Sequence, residues 1–279
     1  MSLSDVPGRV YVVATPIGNL EDLSPRAVRV LGEVALIACE DTRHTARLCD
    51  HYGIGTRRMS LHEHNEAQRI PGLLERLRAG ESITLVSDAG TPLVSDPGAR
   101  LVVAARDAGI EVVPIPGASA VLAALVASGL PTRPFTFLGF PPRKGAARRE
   151  WLDQAARAPG TLVLFEAANR VGDTLDLLHE RLGARRAAVA RELTKRYEQV
   201  VHGRLGELGV VDERGEVTIV IEGGPAQSGA AAPDDEVDAL IRTQLASGGS
   251  ARDVAAAVAE RSGRRRTEVY ARVLALKHP

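Results

Sequence analysis

The sequence predicts an α/β protein with a largely parallel or mixed sheet, and two features of the chain support this. Short apolar runs alternate with helical patterns through most of the 279 residues. Several runs are apolar throughout, as strands covered on both faces by helices should be. The predicted strands are Val10–Ala14, Val34–Cys39, Ile83–Val86, Glu111–Ile115, Phe135–Phe140, Thr161–Glu166, Ala187–Glu192 and Val217–Glu222.

Local signals place several of the helices between these strands. Ser24-Pro25 supplies an N-cap followed by a proline at the first helical position. Ser119–Ala127 is predicted to be an apolar helix, and Val171–Leu182 an amphipathic helix that ends at a glycine. The stretch Arg191–Leu208 instead predicts strand, turn and strand, so antiparallel pairing is expected there.

The chain is predicted to divide into two α/β lobes and a helical tail. A proline-bearing break near residues 131–142 separates the lobes, and the segment GGPAQSGAAAP, which ends at Pro233, is typical of a flexible linker. The tail is predicted to hold three helices, at Asp234–Leu245, Ala251–Arg261 and Arg266–Leu276. Its last two helices have the layout of a helix-turn-helix. The predicted units are lobes 9–130 and 131–223, linker 224–233 and tail 234–279.

Composition limits the classes of function. Lys plus Arg and Asp plus Glu both number 35, so the formal net charge is zero. This excludes a protein that coats nucleic acid through bulk charge, but it allows a local basic face. Cys39 and Cys49 are too few for a disulfide framework, and Cys39 is expected to be buried. Because no signal peptide or membrane-spanning run is evident, we expect a soluble cytoplasmic protein without a membrane partner.

Polar loops follow several of the predicted strands. The sequence has no GxGxxG after its first strand and no GxxxxGK[ST], which disfavours an NAD-type Rossmann site and a P-loop. The loops are instead TPIGN at 15–19, EDTRHT at 40–45, SDAGTP at 87–92 and PIPGASA at 114–120. Since open α/β sheets bind ligands at the carboxyl ends of their strands, these loops are expected to converge on a binding site.

Together with LHEHNE at 61–66, FEAANR at 165–170 and ARELTK at 190–195, these loops resemble the class III, or tetrapyrrole-methylase-fold, methyltransferases. More narrowly, they are similar to the branch that methylates a ribose 2′-hydroxyl of a cytidine in small-subunit (16S) ribosomal RNA. The resemblance spans about residues 9–223, with a weaker likeness in the tail. It implies a two-lobed fold with S-adenosylmethionine in the cleft between the lobes, a homodimer, and small-subunit rRNA or the assembled 30S subunit as partner.

The resemblance also implies a set of residues that bind the cofactor. Asp88 would accept hydrogen bonds from ribose hydroxyls or the ammonium, Gly90 allows close approach, and Thr91 offers a hydroxyl and an N–H. Ser119 and Ala120 open a helix whose free N–H groups would receive a carboxylate. The remaining candidates are Pro16, Ile17 and Gly18 for one wall, and Leu164, Phe165, Glu166, Ala190 and Gly223 for adenine and ribose contacts. Burial statistics also favour Phe165 as a core residue.

Methyl transfer to a hydroxyl requires in-line approach of the oxygen, and a base can take the proton. The catalytic candidates are Glu40, Asp41, Arg43, His44, Asn65 and Lys195, with His62, His64 and Glu66 as further candidate bases. Arg43 and Asn65 are predicted to orient the substrate or contact phosphate. The spacing singles out no base, and Asp41 also suits a helix N-cap. A metal site at His62 and His64 is disfavoured, because side chains two residues apart converge only on a strand.

RNA binding by a chain without net charge requires local cations. The candidate clusters are Arg143-Lys144 with Arg148-Arg149, Lys195-Arg196, and Arg264-Arg265-Arg266 with Arg272 and Lys277. Only 3% of residues are aromatic, so recognition of folded RNA by shape is favoured over an extended stacking platform. Two alternatives remain open: a methyltransferase of a tetrapyrrole or other small molecule, and a non-catalytic RNA-binding assembly factor.

Overall fold

The computed structural model describes residues 8–208, 215–224, 234–246, 249–262, 264 and 266–277. The first part of the chain forms a five-stranded parallel sheet in the order β3-β2-β4-β1-β5. Its strands are β1 (Val10–Val13), β2 (Leu36–Cys39), β3 (Arg58–Ser60), β4 (Ile83–Val86) and β5 (Val112–Ile115). The short strand β3 was not predicted, because its sequence RMS carries neither an apolar run nor a clear alternation.

Helices cover both faces of this parallel sheet, as its apolar strands predicted. They are α1 (Pro25–Glu33), α2 (Thr42–His51), α3 (Glu66–Arg78) and α4 (Ala99–Asp107). Alternate residues of β2 face opposite cores: Ile37 packs with Leu31 of α1, whereas Leu36 packs with Leu77 of α3. The predicted cap of α1 is confirmed, since Ser24 Oγ accepts a hydrogen bond from the backbone N–H of Ala27 at 3.1 Å.

A second, mixed sheet follows in the order β6-β7-β10-β8-β9. Its strands are β6 (Phe135–Phe137), β7 (Thr161–Ala167), β8 (Arg186–Arg191), β9 (Gln199–Arg204) and β10 (Glu216–Ile221). β6 and β7 are parallel and the other neighbours are antiparallel, which confirms the pairing expected for the segment after β8. β6 is shorter than predicted, because Gly139, with φ of +63°, turns the chain out of the strand direction.

Three helices flank the second sheet: α5 (Ala120–Ala127), α6 (Gly145–Arg157) and α7 (Val171–Leu182). α5 follows a strand of the first sheet but packs on the second, where Val121 and Leu125 meet Val163 and Val220. α6 and α7 pack on the opposite face. The chain therefore crosses from one sheet to the other in the loop before α5, which places that loop between the two sheets.

The predicted three-helix tail is present as α8 (Asp234–Ala246), α9 (Ala251–Ser262) and α10 (Arg266–Lys277), which share one apolar core. Arg264 and Arg272 both bind Asp234, at 2.6 and 2.7 Å, and Arg272 also binds Asp238. Arg272 of α10 and Arg264, which precedes α10, thus bind the start of α8, a structural use that the sequence had not indicated. Among the described helices, none is long and apolar enough to span a bilayer.

Parts of two predictions fall outside the described residues. The predicted linker lies there from residue 225 onward, and so does Arg265 of the arginine cluster. The boundaries proposed between the lobes and before the tail stay predictions.

Candidate active site

A cleft of about 430 Å³ lies between the carboxyl end of the parallel sheet and the second sheet. The loop after β4 and the start of α5 form one side, and residues of β7, β8 and β10 form the other. This volume is within the range of about 300–1,000 Å³ that is typical of sites for small molecules. The position agrees with the expectation that the polar loops converge at the carboxyl ends of the strands.

Hydrogen bonds join three of the predicted loops at the floor of the cleft. Thr15 and Gly90 exchange two backbone hydrogen bonds, of 2.9 and 3.0 Å, as an isolated β-bridge. The hydroxyl of Thr15 also donates to the carbonyl of Ser87 at 3.3 Å. The hydroxyl of Thr91 donates to the carbonyl of Ala118 at 3.2 Å. The loops after β1, β4 and β5 are therefore held together as one unit.

The loop after β4 is held in an unusual backbone conformation. Leu93 and Ser95 have φ of +73° and +71°, in the left-handed region where side-chain-bearing residues cost roughly 1–2 kcal/mol each. Gly98, with φ of +113°, ends the loop, and a Cβ there would lie 2.6 Å from a methyl carbon of Leu85. Such strain concentrates at functional sites, because the surrounding structure must hold it. This strain indicates that the loop has a function besides connecting β4 to α4.

Carboxyl groups gather beside this loop. Asp88 Oδ1 accepts a hydrogen bond from the backbone N–H of Asp41 at 3.1 Å. Burial raises the pKa of Glu40, and repulsion from Asp88, Asp96 and Asp41 adds to the shift. Burial also raises the pKa of Asp96, with repulsion from Asp88 adding to it, although a hydrogen bond with Ser87 opposes both. The negative potential of this group favours a cationic ligand.

Asp41 has a different environment from its acidic neighbours. Its carboxylate accepts hydrogen bonds from the backbone and the guanidinium of Arg43, each at 2.8 Å, and caps α2. These bonds lower the pKa of Asp41 to about 2. A carboxylate held so firmly in its charged form is a weak proton acceptor at neutral pH. Arg43 and His44 are exposed on the first turn of α2.

Lys195 connects the two sides of the cleft mouth. Its Nζ binds Glu192 at 3.0 Å and Glu216 at 2.8 Å, and its methylene chain lies over Gly18, where a Cβ would come within 2.3 Å of Lys195 Cγ. Partial burial alone would lower the pKa of Lys195, but the hydrogen bonds to Glu216 and Glu192 outweigh it and raise the pKa. Lys195 therefore carries a positive charge at neutral pH and is not available as a base.

The segment LHEHNE forms a structural turn between β3 and α3. Asn65 accepts a hydrogen bond from the backbone N–H of His62 at 2.9 Å and donates to the carbonyl of Ser60 at 3.2 Å. Glu66 is buried and accepts from the backbone N–H of Leu101 at 3.0 Å, so it caps the first turn of α4. The His62 and His64 rings lie 6.0 Å apart, and the described residues contain no group of three or more potential metal ligands.

The structure brings most of the cofactor candidates together. Those that line the cleft are Ile17, Asp88, Gly90, Thr91, Ser119, Ala120, Phe165, Glu166 and Ala190. Pro16 and Gly18 flank Ile17 but are not part of the lining. Leu164 is fully buried in the core beneath α6 and α7, and Gly223 borders a separate depression at the opposite end of the second sheet.

Glu166 and Phe165 both line the cleft but have different surroundings. Glu166 is almost fully buried, where it accepts a hydrogen bond from the Thr174 hydroxyl at 2.6 Å and pairs with Arg170 at 3.3 Å. Its carboxylate therefore already has partners. Phe165 is partly exposed to the cleft and contacts Phe137 edge to face. Asp96, Phe140 and Glu216 also line the cleft, although the sequence did not single out any of them as a ligand.

Comparisons with known proteins cover nearly the whole chain. The family described as Tetrapyrrole (Corrin/Porphyrin) Methylases matches residues 9–209, and the RsmI C-terminal HTH domain matches residues 231–277. A protein of Xylella fastidiosa named Ribosomal RNA small subunit methyltransferase I is 46% identical over 247 residues, covering 86% of this chain and 90% of its own. A protein of the same name from Mesorhizobium japonicum is 44% identical over 285 residues, covering 98% and 96%.

Solved structures share the fold at lower identity. Uroporphyrin-III C-methyl transferase from Thermus thermophilus, complexed with S-adenyl homocysteine, is 24% identical with a TM-score of 0.55, over 77% of this chain and 97% of its own. Diphthine synthase is 16% identical with a TM-score of 0.60, over 76% and 89%. At these low identities, the likeness shows only a shared arrangement of strands and helices.

The raised pKa of Asp96 leads to a prediction about stability. A carboxyl group whose pKa is higher in the folded than in the unfolded protein favours folding at low pH and opposes it as the pH rises through the folded pKa. Asp96→Asn should therefore raise the free energy of unfolding at pH 7, and the gain should shrink as the pH falls toward 3.8, the ordinary value for an aspartate. Urea denaturation at pH 7 and pH 4 measures both values. Equal gains at the two pH values would contradict the prediction, and the exposed Asp107→Asn is the control.

Proposed function

The chain belongs to the tetrapyrrole (corrin/porphyrin) methylase family, and from this premise we propose that it transfers a methyl group from S-adenosylmethionine to small-subunit ribosomal RNA, at the ribose 2′-hydroxyl of a cytidine in the decoding region. The observation that carries the proposal is the 41–46% identity to proteins named Ribosomal RNA small subunit methyltransferase I. The likeness also includes the tail: the RsmI C-terminal HTH domain matches residues 231–277, which lie outside the tetrapyrrole methylase match.

The chemistry of the cleft fits S-adenosylmethionine, which when bound supplies an electrophilic methyl group on a sulfonium. The ligand carries two positive centres, and the carboxylates of Asp88 and Asp96 line the cleft. The free N–H groups at the start of α5 suit its carboxylate. Phe165 offers an apolar surface for the adenine. Gly90 permits close approach because it has no side chain, and its left-handed φ of +79° disfavours any other residue at this position.

Three of the candidate bases have a shifted pKa, and only that of Glu40 moves toward neutral pH. Asp41 is held ionised by Arg43 and Lys195 is held protonated by its acidic partners, whereas the raised pKa of Glu40 brings it closer to neutral pH. Asp96, with a raised pKa of its own, lines the cleft and is a second candidate. Lys195 holds Glu192 and Glu216 together at the cleft mouth, a positioning role that its ion pairs support.

We propose that the enzyme works in the cytoplasm as a symmetric homodimer. The helix α5 is apolar on all sides, and the face turned away from the second sheet leaves Leu122 53% and Val126 72% exposed. These residues are four apart and share one face of the helix. A second copy of the chain would cover this apolar surface.

We further propose that the tail contacts RNA through the cations that its own fold does not use. Arg264 and Arg272 are occupied by Asp234. Within the described part of the tail, Arg266 and Lys277 of α10 are exposed and have no ion pair. They are therefore available to bind phosphate.

The reaction is tested by mass mapping of ribosomal RNA from cells that lack the gene. One 2′-O-methyl group in the decoding region should disappear and return with the wild-type gene. Asp88→Ala should not restore it, because loss of a contact to a charged group should weaken S-adenosylmethionine binding by about 1.5–3 kcal/mol in calorimetry. If the methylation pattern of the ribosomal RNA is unchanged in the deletion strain, this reaction is excluded. The alternative function is then a small-molecule methyltransferase. Rescue by Asp88→Ala despite lost cofactor binding would indicate an assembly factor.

The dimer is tested by sedimentation at micromolar concentration. We expect a mass near twice the 29.6 kDa of the chain. Val126→Asp should shift the protein toward the monomer, because a charge in an apolar interface is costly to desolvate. The same change at Leu274, exposed on the tail, is the matched control. A wild-type mass of one chain would refute the dimer.

The role of the tail is tested with Arg266→Ala combined with Lys277→Ala. Binding to small ribosomal subunits should weaken, and the dependence of log K on log salt should fall by about 0.7–0.9 for each lost phosphate contact. Cofactor affinity should stay unchanged, since neither side chain lines the cleft. Arg78→Ala, at the end of α3, controls for the loss of an exposed charge. Subunit binding equal to wild type at every salt concentration would show that α10 does not contact RNA.

A further inference from the structure

Phe140 is an exposed aromatic side chain at the mouth of the cleft. It lines the cavity, yet 55% of its surface is open to solvent. Its ring lies 5.4 Å from that of Phe165, which in turn lies 4.9 Å from Phe137. Three of the four phenylalanines of the chain thus form one group beside the cofactor site. A large apolar ring left open at such a place is available to a ligand.

The position of Phe140 is fixed from both sides. On one side, the backbone N–H of Phe165 donates to the carbonyl of Gly139 at 3.0 Å. On the other, the guanidinium of Arg170 donates to the carbonyl of Pro141 at 3.1 Å. Because both neighbours are hydrogen-bonded to the second sheet or to the turn that follows β7, the exposed ring is presented on a rigid support.

Cations follow immediately along the chain. Arg143, Lys144 and Arg149 are exposed, and within the described part of the chain none of them has an ion pair. They surround the N-terminus of α6, whose free N–H groups add to the positive potential. In a protein without net charge, this is a local excess of positive charge beside the cleft.

We propose that Phe140 stacks on the base of the nucleotide whose ribose enters the cleft, and that Arg143, Lys144 and Arg149 bind the phosphates that flank it. This inference rests on the proposed RNA substrate. A nucleotide that turns its ribose into the cleft gives up stacking on its neighbours, and an exposed aromatic ring compensates for part of that loss. An aromatic ring next to a track of cations is the typical arrangement for binding a single nucleic-acid strand.

The stacking is tested with Phe140→Ala, with small ribosomal subunits from cells lacking the gene as substrate. Loss of one base stack should lower subunit affinity and kcat/KM roughly 5- to 150-fold. Affinity for S-adenosylmethionine should stay within about two-fold, which also shows that the variant is folded. Phe140→Trp should retain both. Phe135→Ala is the matched control, because Phe135 is 40% exposed at the other end of β6.

Two outcomes would overturn the stacking role. Cofactor affinity that falls in Phe140→Ala while subunit affinity holds would place Phe140 against the adenine of S-adenosylmethionine. Subunit affinity and kcat/KM equal to wild type would leave Phe140 without a ligand. Wild-type protein that binds subunits but never methylates them would count against the proposed reaction, and the binding comparison would still decide the role of Phe140.

The cations are tested with Arg143→Ala and Lys144→Ala in the same subunit-binding measurement. Each should weaken binding, and the slope of log K against log salt concentration should fall in magnitude by about 0.7–0.9. Arg106→Ala, exposed at the far end of α4, should change neither. A salt dependence that stays at the wild-type value in both variants would show that this segment does not contact phosphate.

Discussion

Two backbone hydrogen bonds between Thr15 and Gly90 determine how the cleft is built. They bring the loop after β1 against the loop after β4, where no regular strand pairing continues. Gly90 can take part because its φ is +79°, a conformation that other residues adopt only at a cost. Once the two loops are joined, the contact of Thr91 with Ala118 adds the loop that leads to α5. Since α5 packs on the second sheet, the same network links the loops of the first sheet to the opposite side of the cleft.

The acidic residues around this network differ in their surroundings rather than in their chemical type. Asp41 accepts hydrogen bonds from the side chain and the backbone of Arg43, which lower its pKa, whereas Glu40 and Asp96 have partial burial and like charges, which raise theirs. Similar groups are thereby assigned different tasks by their environment. Asp41 holds the start of α2, while the other two keep pKa values closer to neutral. Glu66, buried and bound to the N–H of Leu101, serves the fold in the same structural way as Asp41.

The sequence predicted those features that depend on local pattern. Apolar runs identified most strands, Ser24 identified a helix start, and the polar loops identified the edge where the cleft lies. Contacts between segments that are far apart along the chain could not be predicted from such local patterns. α5 is apolar on every side, so its sequence does not say which sheet it covers. Glu66 was a candidate base until the fold placed it under α4, and Arg264 was a candidate RNA contact until the fold placed Asp234 beside it. Phe140 looked like the last residue of a strand.

The carboxylates that suit a cationic cofactor create a difficulty for an RNA substrate. Phosphates would be repelled by Asp88 and Asp96 if they entered the cleft. Physiological salt does little to screen this repulsion, because the charges would lie closer together than the Debye length of about 8 Å. The nucleic-acid backbone must therefore stay outside while one ribose goes in. Cations at the rim, such as Arg143 and Lys144, would hold the phosphates there, and a ring such as Phe140 would support the displaced base. Opposite charges at the floor and at the rim would let a protein without net charge bind a cation and a polyanion side by side.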